Sequence, residues 1–231
     1  MAPNVRTLLP LDEPTAPGWD LATRLGGGAV VVAHLATTDP AAPPDLAPGI
    51  RELIGAGVSV LGYATLGFGA RPASGLMPRF AAWAELGATG VFLDHVPAGP
   101  FHLGAVRLAH RLARAAGLAE VVLNPGRPVD PMCRELAETR ATAGTAAVTF
   151  CTFHGSWAEY QAWDGTGAEE GDGHLLYGVP PEWRKEAHDL ARTRGAGLAL
   201  ISEYEWPPAL TTSSEVAVAV GSVGSSTTTG S

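Results

Sequence analysis

Seven histidines occur in this chain of 231 residues, and three of them close short apolar runs. His34 ends AVVVAH, His95 ends GVFLDH and His154 ends AVTFCTFH. Other polar side chains end similar runs: Asp12 and Glu13 after RTLLPL, Tyr63 and Thr65 in SVLGYAT, Asp94 beside His95, Asn124 in EVVLNP, and Ser202 and Glu203 in GLALISE. Imidazoles exchange protons near neutral pH, carboxylates orient or charge-stabilise them, and amides and phenols hold a carbonyl or hydroxyl in place. Aimed into one cavity, such groups are the ingredients of acid–base catalysis. Asp94, His95 and His154 are the candidate catalytic residues, and Asp12, His34, Tyr63, Asn124, Trp157 and Glu203 the candidate substrate contacts. Of the other histidines, His174 opens an apolar run and belongs at the opposite end, while His102, His110 and His188 lie on or near helical stretches.

The elements that must bring these residues together are legible as a repeat of apolar run, Gly/Pro loop and helical spacing. Eight such runs occur, at 6–10, 29–34, 59–64, 90–95, 120–125, 147–154, 174–179 and 197–203. Between them lie helical candidates such as PGIRELIGAG, MPRFAAWAELG, FHLGAVRLAHRLARAAG, DPMCRELAETRATAG and PPEWRKEAHDLARTRG, several starting at Pro or Asp and stopping at Gly. Near-continuous apolar strands alternating with helices predict a parallel sheet covered on both faces, and eight units predict a closed (β/α)8 TIM barrel in a single domain. In that fold the strand C-termini form the site, which is why the run ends matter. No GxGxxG follows the first strand, and Gly26–Gly28 precedes a strand as a turn, so a dinucleotide fold is not indicated. The barrel is expected over 1–210, with 211–231 a low-complexity tail.

Adjacency raises a difficulty for Asp94 and His95, since neighbours on a regular strand face opposite sides. Both reach the mouth only if the strand has ended by His95, which Pro97 and Gly99 allow. Cys151 has the opposite parity to His154, so a core thiol is expected there, as at Cys133. The acidic loop DGTGAEEGDG, with Glu169, Glu170 and Asp172, lacks the spacing of an EF-hand and reads as a mobile, solvated lid.

A net charge of −8, with Lys185 the only lysine, provides no basic cluster to neutralise phosphates. Nucleic-acid and anionic-membrane partners are therefore not expected, and a small-molecule or carbohydrate-like substrate is. Hydrophobic residues make up 46 %, enough for a full core, but no run reaches the roughly 18 apolar residues of a membrane span. Without an apolar leader at the start, the expected location is the cytoplasm. Abundant Ala, Gly, Pro and Arg reflect a GC-rich genome, as in actinobacteria, and say nothing about function.

Several segments in order resemble the spherulation-specific family 4 proteins. VLGYATLGFGARP (60–72) resembles the family's G-Y-V-x-T-x-Y-G-x-R, with Phe68 at the second tyrosine. GATGVFLDHVP (87–97) resembles its G-x-F-x-D-E strand end, VVLNPGRPVD (121–130) its N-P-G turn, and TFHGSWAEY (152–160) its T-F-E-G-x-x-x-x-Y. HLLYGVPPEW and GLALISEYEW fit its last two strands. The resemblance implies a barrel-fold glycoside hydrolase acting on galactosamine-containing polysaccharide. The departures fall at the acids: His95 stands for a glutamate, His154 for another, His34 for an asparagine, and Asp12 for a tyrosine. Glycosidases use two carboxylates, and of the family's set only Asp94 is kept.

These residues support four readings. The first is a metal-free acid–base enzyme with no cofactor, carrying out a cyclisation, elimination, isomerisation or hydrolysis, with Trp157 or Trp206 walling the pocket. The second is a three-imidazole site of His34, His95 and His154 for a divalent metal such as zinc or iron, with Asp94 or Asp12 as fourth ligand. The third is a glycan hydrolase using Asp94 and Glu203, and the fourth a non-catalytic carbohydrate-binding barrel.

Overall fold

A computed structural model describes residues 5–11, 17–33, 46–138 and 148–205. Eight parallel strands close on themselves in sequence order. They are β1 (Arg6–Leu11), β2 (Ala29–Ala33), β3 (Ser59–Thr65), β4 (Gly90–Asp94), β5 (Glu120–Leu123), β6 (Val148–Ser156), β7 (Gly173–Tyr177) and β8 (Leu198–Ile201). Closure is made by β1 on β8, Arg6 beside Leu198 and Thr7 beside Ala199. The helices between them are α1 (Pro17–Leu25), α2 (Leu46–Gly55), α3 (Met77–Glu85), α4 (Leu103–Ala115), α5 (Pro131–Glu138), α6 (Trp157–Ala162) and α7 (Arg184–Thr193). The expected (β/α)8 barrel is what the chain forms. All eight runs are strands, with ends shifted by a few residues. The short helices α1 and α6 are additions to the sequence reading, and the tail expected at 211–231 lies outside the described residues.

Strand alternation divides the buried side chains into two layers. Leu8, Val30, Val32, Leu61, Phe92, Val122, Cys151, Leu175, Leu198 and Leu200 fill the interior with Tyr63 above them. Their neighbours Leu9, Val31, Val60, Val91, Leu93 and Val121 face outward and join Phe80, Trp83, Val106 and Ala109 of the helices. The strands are apolar throughout because both faces are covered, the pattern expected of parallel sheets. Close docking of α3 depends on Gly62, where a β-carbon would lie 2.2 Å from the Trp83 ring. Trp83 Nε1 then donates to the Tyr63 carbonyl at 3.2 Å, which ties α3 to the strand carrying Tyr63.

One irregularity decides where a site residue points. Between β6 and β7 the register shifts: Cys151 is level with Gly173, but Phe153 is level with His174 and His154 with Leu175. Thr152 is thus the extra residue of a β-bulge, and the bulge resets the parity of the strand. His154 falls on the interior side with Leu175, and Phe153 packs outward against Tyr160 and Trp163. The expectation that Cys151 and His154 face opposite sides is corrected by this bulge. Cys151 remains a buried free thiol deep in the interior, and its pKa is raised well above the usual thiol value, mainly by burial.

The acidic loop also differs from expectation. It precedes β7, so it sits at the end opposite the mouth, and it is pinned. Arg134 of α5 makes a two-pronged ion pair with Asp172, at 2.9 and 2.7 Å, and its Nε lies 2.9 Å from Glu169. Asp172 is buried and also accepts from the Glu169 N–H at 2.9 Å. A lid over the mouth is excluded by that position.

Candidate active site

Continuing the inward series beyond the interior layer leads directly to the polar residues. Phe92 is inward on β4, so Asp94 is too, and Val122 is inward on β5, so Asn124 follows. Leu93 is level with Leu123, and Tyr63 with Phe92, so adjacent strands carry Tyr63, Asp94 and Asn124 to the C-terminal mouth together.

Asp94 is their centre. It is 1 % exposed, and its carboxylate accepts three hydrogen bonds: from Tyr63 Oη to Oδ2 at 2.9 Å, from Asn124 Nδ2 to Oδ1 at 2.8 Å, and from the His95 N–H to Oδ1 at 2.8 Å. Burial, first, and then the Asp94 charge and hydrogen bond raise the Tyr63 pKa far above the usual phenol value. Tyr63 is therefore a fixed donor and does not titrate in the working range. The Asn124 amide is oriented by its other side, since Oδ1 accepts from the Gly126 N–H at 3.1 Å. Its NH₂ is left for Asp94 and for His154 Nδ1 at 3.3 Å. A neutral His154 that accepts at Nδ1 carries its proton on Nε2.

His95 reaches the same place by backbone strain. β4 has ended at Asp94, and His95 is left-handed, with φ 50°. Among the described residues only Phe68, φ 53°, shares that conformation without being glycine. The turn brings His95 Nδ1 to 3.2 Å from Thr65 Oγ1 and 3.8 Å from Asp94 Oδ2. Phe68 closes over it, with ring centroids 4.8 Å apart and its N–H donating to the His95 carbonyl at 2.6 Å. The adjacency difficulty is resolved, and both members of the Asp94–His95 pair face the mouth. Strained non-glycine backbone of this kind concentrates at functional sites.

Two expected substrate contacts are not brought to this cluster. Trp157 is the first residue of α6, begun by a Ser156–Glu159 capping box, and its ring is buried with Tyr160, Leu176 and Val179 in the outer layer. Glu203 is exposed, and its carboxylate pairs with Arg184 at 3.4 Å. Asp12, Glu13, His34 and Trp206 lie outside the described residues. Thr65 and Phe68, noted in the sequence only for their place in a strand end or motif, prove to be the groups that hold the His95 ring. Among the described residues no three His, Cys, Asp or Glu side chains are gathered to hold a metal ion, and the proposed third imidazole, His34, is not among those residues.

No protein-family model matches the chain, and no curated protein matches it. Among solved structures it is similar to the 3-dehydroquinate dehydratase from Aquifex aeolicus VF5, at 13 % identity and a TM-score of 0.46, over 94 % of this chain and 96 % of that one. It is also similar to PhdJ, solved bound to a substrate intermediate, at 15 % identity and a TM-score of 0.44, over 86 % of this chain and 66 % of that one. Neither likeness transfers a reaction or a residue role. The chain's own strand pairing establishes it as a closed eight-stranded (β/α)8 barrel.

Proposed function

We propose that this protein is a metal-free acid–base enzyme acting on a small molecule at the barrel mouth. Its reaction is of the cyclisation, elimination, isomerisation or hydrolysis kind. The observation that carries the reading is the buried Asp94 carboxylate, held by three donors, with the His95 imidazole turned back over it by a left-handed residue. Contacts at His95 Nδ1 leave Nε2 for the substrate. In this mechanism Nε2 takes a proton from a substrate C–H or O–H, and the imidazolium that forms is stabilised by Asp94 behind it. His154, whose Nδ1 is engaged by Asn124, stands beside it as the group that polarises a carbonyl or returns the proton. Tyr63 and Asn124 hold Asp94 in position.

The glycan-hydrolase reading, implied by the resemblance to the spherulation-specific family, needs a second carboxylate. Glu203 is held by Arg184, so that reading stands second.

The decisive measurement incubates the protein with a small-metabolite extract in deuterated water and follows mass changes. Wild type should label, dehydrate or rearrange a defined compound, and Asp94→Asn and His95→Gln should slow this by about 10²-fold or more. Unchanged turnover in folded Asp94→Asn would sink the proposal.

A further inference from the structure

The mouth carries charge that the acid–base reading does not use. Arg71 lies midway along the loop that follows β3, its stem running beside Gly67, and Arg79 is the third residue of α3. Both lie at the mouth end, where strands finish and helices begin. Their charges oppose the effect of burial and of Asp94 on the Tyr63 hydroxyl, so both are felt at the group that holds Asp94. Neither forms an ion pair among the described residues.

Helix stability gives no reason for Arg79, since a cation in a first turn faces the positive end of the helix dipole, and that turn holds no acid. The loops after β3, β4 and β5 add Arg127, and their only carboxylate besides Asp94 is Asp130. That carboxylate accepts from the Met132 N–H at 2.9 Å at the start of α5, and it leaves three arginines against two carboxylates in this arc. The acids of the last strand lie on the other side of the mouth: Glu203 is paired with Arg184, and Glu205 acts on Tyr177. In a chain of net charge −8, the β3–β5 arc is thus a local excess of cations beside the proton-transfer groups.

We propose that the substrate carries an oxyanion, a carboxylate or a phosphate ester, which Arg71 and Arg79 bind at the rim so that the adjoining carbon or hydroxyl lies over His95. Guanidinium groups fit this task because their fork of donors matches both anions. The inference rests on the acid–base reading and narrows its substrate class to small anionic molecules, as against a neutral or amino-sugar polymer.

Inorganic phosphate and malonate serve as probes, titrated at matched ionic strength while the imidazole resonances of nitrogen-15-labelled protein are followed. One or both should shift His95 saturably, and the tighter of the two identifies the anion. Arg71→Gln and Arg79→Gln should each weaken binding by about tenfold or more. Arg111→Gln, at an exposed position far along α4, should leave it unchanged. Absence of saturable binding by either anion, or equal binding in the Arg71→Gln and Arg79→Gln proteins, overturns the proposal. Asp94→Asn separates it from the acid–base reading, because that variant should lose proton exchange yet bind the anion at least as tightly as wild type.

Discussion

His95 is held where a side chain is not favoured. A left-handed non-glycine residue costs about 1–2 kcal/mol, and such strain persists only where surrounding contacts fix it. Here those contacts are its N–H on Asp94, its carbonyl under the Phe68 N–H, and its ring between Thr65 and Phe68. His95→Gly removes the strain and the imidazole together. Its stability in urea unfolding should match or exceed that of wild type, by up to about 1 kcal/mol, while proton exchange falls by about 10²-fold. A stability loss above about 2 kcal/mol would instead assign the ring a packing role. The pair was visible in the sequence as an acid and an imidazole entering a Pro/Gly loop. The left-handed turn was not, because histidine carries no conformational mark comparable to glycine's.

At the scale of elements, the strand ends were legible because a barrel covered on both faces writes its strands as apolar runs, and the first polar residue marks the mouth. That logic placed Tyr63, Asp94 and Asn124 correctly. It did not extend to β6, where two residues oppose one across the bulge at Thr152 and the alternation read from Cys151 to His154 breaks. Trp157 is not brought to the Asp94 cluster, because the capping box at Ser156 starts a helix at once and packs the indole in the outer layer. Glu203 pairs instead with Arg184, 19 positions away, a contact that the strand-end pattern does not mark. The acidic Gly-rich loop looked like a lid because composition alone does not say which end of the barrel a loop occupies. Its anchoring Arg134 side chain is 11 % exposed and that of Asp172 is 5 % exposed. Arg134→Ala therefore leaves a buried carboxylate uncompensated and should cost about 3–5 kcal/mol in urea unfolding. Turnover per folded molecule should be unaffected, and a folded variant with lost turnover would return this loop to the active site.

On the scale of the whole molecule, one buried group ties the barrel's stability to pH. His174 of β7 is fully buried in the outer layer among Tyr160, Trp163 and the flanking Phe153, with Arg194 stacked on the Tyr160 ring. The Tyr160 hydroxyl, its pKa pushed up to about 12 by burial, is a donor and meets His174 Nδ1 at 2.7 Å. Nδ1 accepts that bond only while it is unprotonated. Burial, first, and also Arg194 lower the His174 pKa to about 4, against an opposing effect of Asp172. In the unfolded chain the same imidazole takes up its proton near the ordinary value of 6.5. The unfolded state thus binds the proton first as pH falls, so this contribution is complete above about 6.5 and is lost progressively down to about 4. The full span corresponds to about 3 kcal/mol. The exposed carboxylates whose pKa values are lowered by local hydrogen bonds, Glu159, Asp164 and Asp189, lose their contributions as pH falls through the usual carboxylate range and below it. Above that range the His174 contribution is the one that changes among these groups. Urea midpoints taken from pH 7 to pH 4 should fall steeply for wild type and much less for His174→Phe, which keeps the ring volume and removes the titration. Equal slopes for the two proteins would show that the buried imidazole is not the group responsible. If the slopes diverge, the His174→Phe background allows the proton transfer proposed for His95 and His154 to be tested into acid without the barrel unfolding beneath it.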